Sequence, residues 1–212
     1  MNYYPAFINL HGKKAVVVGG GRIAERKVLT LLKSGADVTV ISPVLSPRLL
    51  KEKEARSIKH LARRYRKGDL KDSFLVIAAT DSPEVNTRIA GEAPCLLNVV
   101  DVPGECNFIA PSIVERGQLV FAISTGGASP AFAKAVRREI EKLYGKSFSD
   151  YLDFVKALRP SVMQEINDPV QREKFLKGLA SRHIMATLRA TGHEEVKAIV
   201  LARFRKLTGK KE

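Results

Sequence analysis

One stretch of the sequence decides the fold: Ala15-Val16-Val17-Val18-Gly19-Gly20-Gly21-Arg22-Ile23-Ala24. The apolar β-branched run predicts a buried strand, and the glycines directly after it predict a tight turn into a helix. Gly19, Gly21 and Ala24 fit the spacing G-x-G-x-x-A. In that motif the first glycine permits the turn, the second lets a pyrophosphate approach the main chain, and the alanine leaves room for the helix to pack on the strand. The stretch therefore predicts a dinucleotide-binding unit, with a purely structural glycine turn as the alternative.

Outward from this unit, short apolar runs alternate with helical patterns through residues 1–112. A serine followed by proline, Ser82-Pro83, is typical of a helix start, because serine caps the helix and proline suits its first turn. Further strands are predicted at 38–41, about 59–65, 75–79 and 96–100, and helices at about 23–34 and 83–91. Strands alternating with helices in this way predict an α/β fold with a doubly wound, Rossmann-like parallel sheet.

The pattern changes after Pro111. A strand at 119–123 leads into the glycine-rich Ser124-Thr125-Gly126-Gly127, and a helix follows over about 130–144. Beyond it, only helical signals are present, at 148–158, from Asp168-Pro169 onward and at about 194–207. We therefore predict a dinucleotide-binding, Rossmann-like domain over 1–112, a small α+β segment over 113–147 and a helical domain over 148–212.

The composition excludes several classes of protein. The 212 residues are 45% hydrophobic, which is ordinary for a folded chain and excludes global disorder. No apolar run approaches the roughly 20 residues that span a bilayer, and the N-terminus lacks the layout of a signal peptide. With only two cysteines, a reducing cytoplasm is the expected setting, and no membrane partner is expected.

The net charge of +14 is spread along the chain and forms no basic tail. Its densest stretch, residues 48–67, holds nine basic residues against Glu52 and Glu54. We expect a solvated helix followed by a polar strand at the outer edge of the sheet, and therefore little contribution to a site. A diffuse charge of this kind suits anionic small molecules better than nucleic acid.

Ligands of such sheets bind beyond the carboxyl ends of the strands. The second strand should end in Asp or Glu to hold the adenine ribose, but here it is followed by Ser42, Pro43 and Val44. Arg48 is the nearest arginine in sequence, so a 2′-phosphate is not clearly favoured either, and the residues leave NAD and NADP both open. Thr80 and Asn98 mark the ends of the fourth and fifth strands, and a turn carrying Asp101 follows the fifth.

Motifs in the same order along the chain make the sequence resemble the precorrin-2 dehydrogenase and sirohydrochlorin ferrochelatase family, the N-terminal module of siroheme synthases. These motifs are Gly19-Gly20-Gly21 with Ala24-Glu25-Arg26-Lys27, Ala78-Ala79-Thr80-Asp81 with Asn86, Asn98-Val99-Val100-Asp101 with Phe108-Ile109 and Pro111-Ser112-Ile113, and Ser124-Thr125-Gly126-Gly127 with Ser129-Pro130. They run from about Phe7 to Arg138. Thr125 stands where the family often has serine, which keeps the hydroxyl.

The resemblance implies a cytoplasmic enzyme that oxidises precorrin-2 to sirohydrochlorin with NAD⁺. Some members also insert Fe²⁺ into sirohydrochlorin, and the residues leave this second activity open. Residues 113–147 match the family's dimerisation region, which implies a homodimer. The family's cofactor contacts match Arg22-Ile23 and Pro43-Val44, and its catalytic carboxylate matches Asp101.

Placed beside the nicotinamide, Asp101 is expected to act as the general base that removes a proton from the macrocycle. Small polar groups on turns are suited to binding a ligand that carries carboxylates, although they equally suit ordinary turn chemistry; these are Asn107, Ser124, Thr125 and Gly126. No metal-binding residue is predicted, because the four histidines have no ligand spacing. Iron insertion stays open regardless, since the nitrogens of the macrocycle are the final ligands.

Two alternatives of another class remain at the level of sequence. A nucleic-acid-binding redox regulator would combine the Rossmann-like domain with the helices, but the basic residues of 148–212 are interleaved with acidic ones. A nucleotide-sensing module without chemistry would make Asp101 incidental. Incubation with precorrin-2 and NAD⁺ separates both from an enzyme.

Overall fold

The structure is a computed structural model that describes residues 3–209. Residues 1, 2 and 210–212, at the ends of the first and last predicted domains, lie outside the described residues. The chain divides into two compact units, between Ala110 and Pro111. The finer division into 1–112, 113–147 and 148–212 stays a prediction.

The first unit is built on a five-stranded sheet in the order β3-β2-β1-β4-β5. All four strand pairs are parallel, which confirms the predicted doubly wound architecture. The chain moves outward from β1 through β2 to β3 and then crosses to β4 on the other side of β1. The strands are β1 (Lys14–Val18), β2 (Asp37–Ile41), β3 (Ile58–Leu61), β4 (Leu75–Ala78) and β5 (Leu96–Val99).

Helices cover both faces of this sheet: α1 (Arg22–Lys33), α2 (Pro47–Glu54) and α3 (Pro83–Glu92). Val17 belongs to a core shared with α1 and α2, whereas its neighbour Val16 belongs to one shared with α3. Alternate residues of β1 are thus buried on opposite faces, as a central parallel strand requires. The predicted start of α3 is confirmed, since the hydroxyl of Ser82 accepts from the main-chain N–H of Val85.

The third strand is shorter than predicted. It ends at Leu61 instead of about Tyr65, because its partner β2 ends at Ile41, the residue that pairs with Leu61. Beyond that point the chain has no strand to pair with and forms a loop, residues 62–70. A two-pronged ion pair between Arg63 and Asp69 closes this loop, with N–O distances of 2.8 and 2.7 Å.

The second unit joins an antiparallel hairpin, β6 (Ser112–Arg116) and β7 (Leu119–Ile123), to five helices. The helices are α4 (Pro130–Leu143), α5 (Lys146–Glu165), α6 (Pro169–Gly178), α7 (Arg182–Ala190) and α8 (His193–Thr208). Strand β6 and helix α7 were not predicted, and α5 is longer than the predicted 148–158. It continues through Pro160 because Leu158 and Val162 are buried on one face while the proline is exposed.

Candidate functional site

The glycine turn after β1 is packed against the ends of two neighbouring strands. Gly19 has a φ of +123°, and a Cβ at this position would clash with the main-chain carbonyl of Ala79. A Cβ at Gly20 would clash with the carbonyl of Val44 and lie 2.7 Å from the hydroxyl of Ser42. Because both glycines are fitted against main chain, the turn itself requires them.

Gly21 differs from these two glycines. Its φ of −82° suits any residue, and a Cβ built on it would meet nothing within 4 Å. It is the N-cap of α1, and no side chain of the described residues caps that helix. The N–H groups of the first helical turn therefore face an open space and carry the partial positive charge that binds phosphates. The missing side chain at Gly21 fits the approach of a pyrophosphate.

A cleft of about 520 Å³ opens beside this turn, at the carboxyl ends of β1, β2 and β4. The order of the strands reverses between β1 and β4, the place where open α/β sheets bind their ligands. The cleft is lined by Val18, Gly19, Gly20, Gly21, Ile41, Ser42, Pro43, Val44, Arg64, Tyr65, Ala79, Thr80, Asp81, Ser82 and Val85.

Most of the predicted cofactor-binding residues lie in this cleft: Gly19, Gly21, Ser42, Pro43, Val44 and Thr80. The remaining four lie outside its lining. Arg22 and Ile23 are exposed on the first turn of α1, and Ala24 is fully buried under that helix. Asn98 lies in β5, where its side chain contacts the segment that follows the Asp101 turn. Cofactor contacts of all ten stay predictions.

The loop after β3 forms one wall of the cleft and was missed as a site. Tyr65 donates to Glu92 at 2.6 Å, and burial together with this hydrogen bond raises the pKa of Tyr65. Arg64, between the tethered Arg63 and Tyr65, is exposed and lines the cleft. The densest basic stretch therefore does reach the site, contrary to expectation. Arg64 was missed because the strand was predicted to continue to about Tyr65. The residue at which a strand ends decides which of the following residues line the cleft.

Thr80 is held on the opposite wall by Asn86, a buried residue of α3. The Thr80 hydroxyl donates to the Asn86 side-chain oxygen at 2.7 Å, and the Asn86 amide donates to the Thr80 carbonyl at 3.2 Å. Two bonds in opposite directions fix the main chain where β4 ends. The cleft is thus bordered by anchored main chain on both sides of the glycine turn.

Asp101 lies on the exposed turn after β5, with a φ of +61°. The left-handed conformation is unfavourable for residues other than glycine, although Asp and Asn tolerate it best. Cys106 holds the turn: its sulfur lies 3.2 Å from both the nitrogen and the oxygen of Val99 and 3.3 Å from the oxygen of Val102. The main chain on both sides of Asp101 is therefore tied to a thiol five residues later.

Two asparagines attach the segment after this turn to the edge of β5. Asn107 accepts from the main-chain N–H of Leu97 at 2.7 Å and donates to the carbonyl of Cys95 at 2.8 Å. Asn98 donates to the carbonyl of Phe108 at 3.2 Å. The side-chain oxygen and nitrogen of Asn107 thus both bond the main chain at β5. Contact of Asn107 with a substrate stays a prediction.

Lys27 of α1 is half-buried close to this turn. Burial lowers its pKa, and the neighbouring Arg26 lowers it further, while the Cys106 thiol and the Asp101 carboxylate act in the opposite direction. Lys27 and Asp101 therefore lie close enough to interact electrostatically.

The predicted substrate-binding loop of the second unit joins β7 to α4. Thr125 accepts from the N–H of Ser129 and donates to its carbonyl, both at 3.1 Å, and Ser124 accepts from the N–H of Gly126 at 3.1 Å. Gly126 has a left-handed φ of +62°. Both hydroxyls thus shape the loop, and substrate binding by Ser124, Thr125 and Gly126 stays a prediction.

Residues 3–209 lack two features that would point to other classes of protein. No group of three or more His, Cys, Asp and Glu side chains is arranged to hold a metal ion there. No helix in the same range is sufficiently long and apolar to cross a bilayer. Both cysteines are free.

The sheet, the glycine turn and the cleft at the reversal of strand order define a dinucleotide-binding protein of the Rossmann class. The family model described as "Putative NAD(P)-binding" matches residues 6–112, and the model for the central part of sirohaem biosynthesis proteins matches residues 116–143. The chain belongs to the family of the first of these models, the putative NAD(P)-binding proteins, as the glycine motif indicated.

The sequence is also similar to siroheme synthases. The siroheme synthase of Nitrosospira multiformis is 40% identical over 182 residues, which cover 82% of this chain and 39% of the relative. That of Methylobacillus flagellatus is 42% identical over 178 residues, covering 82% and 38%. The chain thus spans less than half the length of these relatives. A solved structure named "SirC, precorrin-2 dehydrogenase" has the same fold, with a TM-score of 0.82 and 24% identity over 96% of this chain and all of that one.

Proposed function

We propose that the chain oxidises precorrin-2 to sirohydrochlorin with a nicotinamide dinucleotide, NAD⁺ in the first place. The observation that carries this proposal is the cleft at the glycine turn. The first unit of the chain matches a putative NAD(P)-binding model, and the second matches the model for the central part of sirohaem biosynthesis proteins. The names of the relatives and of the solved structure support the substrate. The comparisons give no support to a nucleotide-sensing or nucleic-acid-binding regulator.

The residues of the cleft suit the parts of a dinucleotide. The N–H groups after Gly21 would hold the pyrophosphate, and Ser42, Pro43 and Val44 would border the adenine ribose. Thr80 and its neighbours would border the nicotinamide half, beyond β4. When bound, the nicotinamide accepts the hydride that leaves the substrate. The protein's task is to keep the reacting edge of the macrocycle against it.

Asp101 would accept the proton that leaves the macrocycle along with the hydride. A side-chain carboxylate can act as a general base, and the exposed position of Asp101 on the turn after β5 gives a large substrate access to it. Cys106 and the two asparagines would hold the turn that carries the carboxylate in place. Removal of one hydride and one proton balances the two-electron oxidation of precorrin-2.

The test is anaerobic incubation of the purified chain with precorrin-2 and NAD⁺. We expect sirohydrochlorin and NADH to form in equal amounts, followed by their separate absorbance bands. Asp101→Asn is the matched control, because it keeps the shape of the side chain and tolerates the left-handed turn. Dinucleotide binding without any oxidation would contradict the proposed enzyme and favour a nucleotide-sensing module.

Insertion of Fe²⁺ into sirohydrochlorin is a second proposed activity, with iron as a substrate. The protons of the macrocycle nitrogens must leave as the metal enters, and Asp101 is the base available at the same site. Addition of Fe²⁺ after the oxidation is complete should convert the sirohydrochlorin spectrum faster than the uncatalysed rate. An unchanged rate would limit the chain to the dehydrogenase step.

A homodimer in the cytoplasm completes the proposal. The hairpin buries Val114 on one face and leaves Ile113 and Val120 exposed on the other, and exposed apolar residues on one face of a sheet are typical of an interaction surface. Val120→Lys should halve the mass measured by light scattering. Val170→Lys, on an exposed residue of α6, should leave the mass unchanged. A monomeric wild type would contradict the dimer.

A further inference from the structure

We propose that Arg64 binds the 2′-phosphate of NADP⁺, so that the cleft accepts NADP⁺ as well as NAD⁺. This inference rests on the proposed function, since it assigns part of the same dinucleotide cleft. It concerns a residue of the loop after β3 that the cofactor motif does not include.

The end of β2 carries no group that would exclude the phosphate. NAD-specific Rossmann domains place an acidic side chain there, which binds the ribose hydroxyls and repels a 2′-phosphate. In this chain the position is occupied by Ser42, which is largely buried and donates its hydroxyl hydrogen to the carbonyl of Val44 at 2.7 Å. Pro43 and Val44 add no charge, so none of these three residues repels an anion at this end of the cleft.

Arg64 supplies a positive charge at the same end. It follows β3, which is the direct neighbour of β2 in the sheet, and it lines the cleft. It is exposed, and its guanidinium has no hydrogen-bond or ion-pair partner among residues 3–209. A guanidinium in this state is available for a two-pronged contact with a phosphate, which is the contact arginine makes best.

The loop that carries Arg64 is anchored on both sides of it. Arg63 forms the two-pronged ion pair with Asp69, and Tyr65 is buried and donates to Glu92. Arg88 lies over the Tyr65 ring, 5.6 Å from its centroid, and also bonds Glu92. Anchored neighbours hold the Arg64 main chain in place, so little backbone order has to be gained on binding.

The other charged residue in the lining of the cleft is Asp81. It follows β4, which is separated from β3 by β2 and β1. Three strand spacings put the two strand ends roughly 14 Å apart. Asp81 therefore belongs to the opposite end of the cleft and does not replace the missing acidic residue near the adenine ribose.

The experiment measures equilibrium dissociation constants of NAD⁺ and NADP⁺ by calorimetry, without any tetrapyrrole, for wild type, Arg64→Gln and Arg66→Gln. Arg66 is the matched control, because it lies on the same loop, is exposed and does not line the cleft. Adenosine 2′,5′-bisphosphate and 5′-AMP are each used to compete with the bound dinucleotide. The difference between their affinities isolates the contribution of the 2′-phosphate.

For wild type we expect NADP⁺ affinity within about tenfold of NAD⁺ affinity. Arg64→Gln should weaken NADP⁺ by about 10- to 100-fold and NAD⁺ by less than about threefold, because only one of them carries the contacted phosphate. Arg66→Gln should change neither by more than about twofold. In wild type, the NADP⁺ affinity should also fall more steeply than the NAD⁺ affinity as the salt concentration rises.

Three results would overturn the inference: NADP⁺ binding far weaker than NAD⁺ in wild type, an equal loss of both dinucleotides in Arg64→Gln, or an equal loss of NADP⁺ in Arg66→Gln. In each of these cases the wild type still binds NAD⁺, so the proposed function is not contradicted. Failure of wild type to bind either dinucleotide would instead contradict the proposed function itself.

Discussion

The turn after β1 and the turn after β5 lie at the same edge of one sheet, yet they are held by opposite means. The first is a run of glycines whose missing side chains let main chain approach main chain, at Ala79 and Val44. The second is held by added side chains, since Cys106 and Asn107 bond the backbone of β5 from beyond the turn. The first turn leaves an open space at Gly21, whereas the second has an anchored main chain that carries the exposed Asp101.

The proposed binding and the proposed chemistry therefore have separate structural supports in the same unit. Substitutions at the glycine turn should affect folding or dinucleotide affinity. Substitutions at the Asp101 turn should affect the rate of reaction more than dinucleotide affinity. The predictions below test that separation, beginning with the largest effect.

Asp101→Asn should lower the rate of precorrin-2 oxidation by about 10²- to 10⁴-fold, the usual contribution of a positioned general base. Asn tolerates a φ of +61° as well as Asp does, so the fold and the dinucleotide affinity should be retained. The measurement is single-turnover absorbance with saturating NAD⁺. Retention of more than about a tenth of the wild-type rate would remove Asp101 from the mechanism.

Gly20→Ala should destabilise the first unit by about 1–3 kcal/mol, because the new methyl group must displace the main chain at Val44. The free energy of unfolding in urea measures this. The control is Gly91→Ala in α3, where a Cβ meets nothing within 4 Å, and there we expect a gain of up to about 1 kcal/mol from helix propensity. Equal effects of the two substitutions would show that the turn is not tightly packed.

Cys106→Ala should cost about 1–2 kcal/mol, because the main-chain groups of Val99 and Val102 lose the thiol that contacts them. It should also slow the reaction while leaving NAD⁺ affinity unchanged. Cys95→Ala serves as the comparison, since the Cys95 thiol makes one longer contact, 3.7 Å to the carbonyl of Leu96. A larger loss of stability at Cys95 than at Cys106 would argue against this role of the thiol.

The loop after β3 is held in a third way, different from the turns after β1 and β5, because an ion pair between Arg63 and Asp69 closes it. The hydrogen bonds from Arg63 hold the pKa of Asp69 below its ordinary 3.8, so the carboxylate form stabilises the fold. That stabilisation is present above about pH 4 and is lost as the pH falls through the lowered pKa. Asp69→Asn should cost about 0.5–1 kcal/mol at pH 7, a modest value because the pair is partly exposed to solvent.

The pH dependence distinguishes this ion pair from simple packing. The difference in unfolding free energy between wild type and Asp69→Asn should narrow as the pH falls below about 3.8. A difference that is independent of pH would mean that the charge of Asp69 does not stabilise the loop.

Much of the first unit could be predicted from the sequence because its signals are local. The β-branched run before Gly19 and the serine–proline start of α3 each act on residues next to them. The cleft follows from those elements by the general geometry of parallel sheets. Gly21 was identified for the same reason, since its role depends only on its place at the start of α1.

What could not be predicted depends on contacts between distant residues. The end of β3 at Leu61 is set by the length of β2, and that end decides whether Arg64 lies in a strand or on the cleft. The contacts of the Cys106 thiol could not be predicted, because its partners come together only once β5 and the turn are formed. Strand β6 is polar at Glu115 and Arg116, and its pairing with β7 determines it more than its own pattern does.

The separation of binding from chemistry is tested most directly by the rate of sirohydrochlorin formation as a function of NAD⁺ concentration in wild type, Gly21→Ala and Asp101→Asn. Gly21→Ala should raise the half-saturating NAD⁺ concentration by at least about tenfold and leave the rate at saturation nearly unchanged, because its new methyl group occupies only the open space at the start of α1. Asp101→Asn should lower the rate at saturation and leave the half-saturating NAD⁺ concentration nearly unchanged. If both variants change the same parameter, or if the wild-type rate does not depend on NAD⁺, the account is contradicted.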